Sequence, residues 1–164
     1  MATLTAVNPK VVKSDVPMET VSRLILNGQS WKAGQFLYLD TNGYLNTCAS
    51  DADAATGGIK YYALADQDDP AVNTTYAEVG VITADTVFEG NELDGAVTAA
   101  NIGPYYGISV ASNIVTVDVD DTGNDAVVIT EIGPDWSPAQ YVAADTLAKV
   151  RFKIIAATLN AENA

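Results

Sequence analysis

Residues 34–48 read GQFLYLDTNGYLNTC. Phe36, Tyr38 and Asp40 alternate with Leu37 and Leu39, the period of two that sends successive side chains to opposite faces of a strand. Asn42-Gly43 follows, two residues that both tolerate positive φ and so form the strongest short-range hairpin signal. Tyr44 to Cys48 then resumes the strand pattern. The stretch predicts a β-hairpin.

The same grammar repeats on both sides. VSRLILN (21–27) is read as the first strand, and after the small polar loop CASDADAATGG come IKYYALAD and TYAEVGVITADTVF, rich in β-branched and aromatic residues. EGNELDGAVTAANIG is less regular, with room for a helical turn at Ala96 to Asn101. Tyr105 to Ala111 and Ile114 to Val119 form a second hairpin around Ser112-Asn113, and the turn Asp120 to Asn124 leads into AVVITEI. After GPDWSPAQ the last strand is LAKVRFKIIAATL. Turn signals at about eight- to twelve-residue spacing, with almost no helical period, predict an all-β domain, an antiparallel β-barrel or sandwich of short strands, over residues 23–164.

Residues 1–22 carry Pro9 and Pro17 and no helical stripe, so they are expected to run as an extended N-terminal arm. Two readings stand for it. One is a disordered terminus; the other is an arm ordered on a neighbouring chain through Val11, Val12, Val16 and Met18.

Charge divides the chain sharply. Tyr61 to Ala148 holds fifteen carboxylates and no Lys, Arg or His, while all eight cations lie outside it: Lys10, Lys13, Arg23, Lys32 and Lys60 before, Lys149, Arg151 and Lys153 after. A formal net charge of −13 opposes binding to phosphate backbones, whose affinity comes from cations displacing counterions, so no nucleic-acid partner is expected. No apolar run approaches the roughly eighteen residues of a membrane span, and no signal peptide pattern is present, so neither a membrane nor export is expected. The single Cys48 excludes an intramolecular disulfide and reads as a small core hydrophobe.

Chemistry is mostly subtracted. The absence of His removes the usual general base, the imidazole-dependent triads and the commonest metal ligand. Carboxylates this numerous single out no acid–base pair. No phosphate-cradling Gly motif occurs. Asp118, Asp120, Asp121 and Asp125 around Gly123 look superficially like a calcium loop, but the closing Glu of that motif falls on Ile129 inside a strand. No enzymatic activity, cofactor or metal is expected.

Two features remain as contact candidates. In the last strand, Lys149, Arg151 and Lys153 alternate with Val150, Phe152 and Ile154, placing three cations on one face: either a solvated strand face or a docking stripe for an acidic partner. Trp136 lies between Pro134 and Pro138, in a loop that either tucks it under or offers it to a partner. The other aromatics, Trp31 and the pairs Tyr61-Tyr62 and Tyr105-Tyr106, read as packing residues, with each pair giving one core and one surface ring.

AGQFLYLDTNGYLNTCASDADAATGGIKYYALADQD (33–68) and VRFKIIAATLNA (150–161) resemble segments of the head decoration, or cement, proteins of tailed bacteriophages. The resemblance implies a noncatalytic virion component, assembled in the host cytoplasm on the outer surface of the capsid. Its partner would be the major capsid protein, whose subunits it would clamp, and it would act as a homo-oligomer, a trimer before a dimer. The contact residues expected on that reading are Lys10, Val11, Val12, Lys13, Val16, Met18, Arg23, Trp136, Lys149, Arg151 and Lys153. Other expectations are another structural virion component, such as a tail-tube, head-fibre or coat subunit, and a carbohydrate-binding module using Trp31 and Trp136.

Overall fold

The structure, a computed structural model, describes residues 6–14, 17–50, 54, 58–68, 74–93, 97–133 and 148–160. Among these, eleven strands form two antiparallel sheets. The strands are β1 (Lys10–Lys13), β2 (Thr20–Leu24), β3 (Phe36–Leu39), β4 (Leu45–Thr47), β5 (Tyr61–Ala63) and β6 (Tyr76–Val81), followed by β7 (Val87–Asn91), β8 (Tyr105–Ala111), β9 (Ile114–Asp118), β10 (Val127–Ile132) and β11 (Lys149–Ile154). One sheet has the order β1-β7-β11-β10-β8-β9, the other β2-β6-β5-β3-β4. Single parallel bridges, Ile25 to Leu45 and Glu92 to Val117, curl each sheet at one point. Neither sheet closes into a barrel, and the architecture is a sandwich.

The predicted hairpin is β3–β4, but its turn differs from the expected one. Only Gly43 takes positive φ, at 83°; its N–H donates to the Asp40 carbonyl, and the Asp40 carboxylate accepts from the Asn42 and Tyr44 N–H groups. The tight two-residue turn with both central residues at positive φ is Ser112-Asn113, between β8 and β9. An Asp positioned to hold three successive turn residues thus replaces the second left-handed residue at Asn42.

Alternation within β3 builds two cores. Phe36 enters a large cluster with β7, β8, β9, β10 and β11, whereas Leu37 enters a smaller cluster inside the five-stranded sheet, with Ile25, Trp31, Leu45 and Val79. All three phenylalanines of the chain meet in the large cluster: Phe36 lies edge-on to Phe88 at 5.1 Å between centroids, and Phe88 stacks on Phe152 at 5.7 Å. They join the two sheets, because Phe36 belongs to one and its partners to the other. Tyr61 and Tyr62 point opposite ways, as expected, yet both are packed, since the five-stranded sheet is apolar on both sides. Tyr105 and Tyr106 divide as expected, at 53% and 5% exposure.

Four expectations change. Among the described residues, regular structure begins at Lys10 rather than Val21, because β1 pairs with β7 and continues the six-stranded sheet. Glu89 to Asn91 are not irregular but the second half of β7, buried throughout. The segment TYAEVGVITADTVF is two strands in different sheets, parted by a turn in which the Thr86 N–H donates to the Thr83 carbonyl. The last strand ends at Ile154 and passes into a short helix, α1 (Ala156–Leu159). Of the expected helical turn, a 3-10 turn forms at Ala99–Asn101, capped by Thr98; Ala96 lies outside the described residues.

Asn8, just before β1, ties both sheets together. Its amide donates to the Ala33 carbonyl at 3.1 Å and the Asn113 carbonyl at 2.9 Å, and its oxygen accepts from the Val115 N–H at 2.9 Å. Beside it, the Tyr62 hydroxyl donates to the Pro9 carbonyl at 2.7 Å. Gly34 is required opposite Asn8: its φ is 91°, and a Cβ there would collide with the Asn8 Cβ.

Candidate functional site

The outer face of the six-stranded sheet collects cations from both ends of the chain. In β11 the inward residues Val150, Phe152 and Ile154 are buried, and the outward Lys149, Arg151 and Lys153 are half-exposed, as the alternation requires. β7 lies on one side of β11 and β10 on the other, and β1 flanks β7. Register then sets Glu89 of β7 opposite both Lys10 and Arg151.

Glu89 is the centre of this face. Its side chain is 9% exposed; Oε1 lies 3.4 Å from Lys10 Nζ and 3.5 Å from Lys149 Nζ, and Oε2 lies 3.5 Å from Arg151 Nε. Burial pushes the Glu89 carboxyl up, but Lys10, Lys149 and Arg151 together hold it below the usual carboxylate range. Arg151 reaches a second acid, with its outer guanidinium nitrogen 2.8 Å from Glu131 Oε2. A register shift between Ile129 and Glu131 aims that glutamate across at Arg151.

Cations still outnumber acids here. Lys10, Lys13, Lys149, Arg151 and Lys153 are five of the chain's eight, and they share the face with Glu89, Glu131 and Asp85 among the described residues. The remaining three cations face eighteen carboxylates. A net positive patch therefore sits on a strongly negative molecule.

The other expected contact residues are placed as follows. Val12 stands at a register shift in β1, 36% exposed beside Lys13, and Val11 turns inward onto the large cluster. Arg23 lies in the other sheet, its guanidinium 5.8 Å from the Tyr61 ring centroid, and Met18 covers Gly80 there, filling the space a Cβ at Gly80 would need. Neither joins the cationic face. Val16 and Trp136 lie outside the described residues. Lys32 pairs with Asp66 at 3.0 Å, an exposed bridge away from this face.

Sequence reasoning missed Glu89 and Glu131. The signal for Glu89 was a carboxylate inside VFEGN, where an apolar strand would leave it nowhere to go without cations. Trp31 is 2% exposed and its indole N–H donates to the Ala65 carbonyl at 3.2 Å, so it offers no face to a sugar. The acidic turn after β9 is engaged in closing itself: Asp118 accepts from the Asp120 and Asp121 N–H groups, and Asp121 from those of Gly123 and Asn124. No helix among the described residues is long and apolar enough to cross a membrane. Neither a family model nor a curated protein matches the chain.

Proposed function

We propose that this protein is a noncatalytic decoration protein of a phage head, attached to the outside of the shell through the outer face of the six-stranded sheet. One observation carries the choice of surface: five of eight cations meet there, while the rest of the chain has three cations and eighteen carboxylates. Such a molecule has one orientation in which a negatively charged shell attracts it and others in which it is repelled. Modest contacts of this kind gain strength when many copies, or an oligomer, engage a repeating lattice together.

The test is copurification. Heads isolated from an infection by the phage that encodes the chain should carry many copies on their outer surface, released by high salt. Its recovery at a few copies, confined to tails or fibres, would replace the shell reading with another virion role. Recovery only as a monomer with no affinity for heads would overturn both.

A further inference from the structure

Beside the Glu89 cluster the outer face opens into a groove of ≈ 390 Å³. Val12 and Val87 give it an apolar part, and its charged lining is three cations, Lys13, Arg151 and Lys153, against two acids, Asp85 and Glu131. Glu131 already shows that a carboxylate fits: it reaches Arg151 at 2.8 Å although its own side chain is 47% exposed. An incoming carboxylate would take that place.

The spacing of the cations defines the partner further. Arg151 and Lys153, the two β11 cations that line the groove, occupy alternate positions of one strand, so they stand about 6.6 Å apart, the pitch of two residues of extended chain. An extended segment with carboxylates at every second residue has the same pitch. The free edge of β1 is unsuited to adding a strand, because it is short, carries Lys10 and Lys13, and shifts register between Val11 and Lys13. The partner therefore lies on the face rather than extending the sheet. The remaining fifteen net negative charges repel any anionic partner at long range, so a short segment with few carboxylates suits the groove better than a long phosphate backbone.

We infer that this groove docks an extended acidic segment of a partner protein, with carboxylates at alternate positions engaging Arg151 and Lys153 and with Lys13 flanking it from β1. The inference rests on reading this face as the attachment surface. The experiment uses the full chain and two labelled peptides of identical composition, one alternating Thr and Glu four times, the other four Thr followed by four Glu. Fluorescence anisotropy at low salt should show the alternating peptide binding more tightly. Lys153→Glu should weaken it about fivefold or more, while Glu131→Gln should strengthen it by removing the internal competitor. Equal affinity for the two peptides, or no binding, overturns the inference, as does an oligothymidylate that binds as well as the alternating peptide. Should Lys153→Glu fail to fold, the exposed Glu131→Gln still decides, since unchanged or weaker binding overturns it. Sedimentation with heads separates the two ideas: heads that retain the protein when peptides fail remove the groove alone, and peptides that bind when heads do not remove the attachment alone.

Discussion

The two faces of β11 differ by a shift of one residue and by almost everything else. Val150, Phe152 and Ile154 are nearly inaccessible and complete a core shared by both sheets, whereas Lys149, Arg151 and Lys153 remain partly open, the first two organised around one buried acid. The inner face gains its energy from packing that tolerates no gap. The outer gains little net stability from Lys153, which has no ion partner among the described residues, and more from the cluster around the largely buried Glu89. Alternate residues of one strand thus divide the core from the surface proposed for attachment.

Phe152→Ala should produce the largest effect, a loss of about 3–5 kcal/mol measured by denaturant unfolding, because it opens a cavity against Phe36 and Phe88. Glu89→Gln should come next, at about 1–3 kcal/mol near neutral pH, since it leaves three cations without their shared partner. Its pH dependence has a definite sign. The folded Glu89 lies below its ordinary value of 4.5, so its contribution is complete above that value and disappears as the pH falls through the folded one. The glutamine variant should therefore lose less stability than the parent between neutral and strongly acid pH; equal acid arms would assign the sensitivity elsewhere.

Lys153→Glu should divide the two faces most cleanly. Among the described residues Lys153 makes no ion pair, so stability should change by about 0.5 kcal/mol or less while head binding falls. Reversing Lys149, Arg151 and Lys153 together would be less informative, because Glu89 would then face new carboxylates and both faces would fail at once. Lys32→Ala should have the smallest effect, leaving both the melting temperature and head binding unchanged, because the Lys32–Asp66 bridge is more than half exposed at both ends.

Local pattern was enough to read most strands and the outward cations of β11, because a period of two survives in any half-buried strand. It was insufficient where a strand is covered on both sides: Phe36-Leu37 and Tyr61-Tyr62 lie in two continuous apolar runs, and nothing in either run tells which cluster each side chain enters. It also failed for β7, whose Gly90 and Glu89 look like loop residues until Lys10 and Arg151 arrive from positions far away in the chain. The gathering of Lys10 and Lys13 with Lys149 to Lys153 was illegible for the same reason. Charge counts located these residues at the two ends of the chain, but only strand order makes them neighbours.

That neighbourhood has a consequence for the order of synthesis. β7 is flanked by β1, made early, and β11, made more than a hundred residues later. A nascent chain that still lacks β11 has Glu89 without Lys149 or Arg151, and has only two of the five cations of this face. The surface proposed for attachment is therefore complete only once β11 has joined β7.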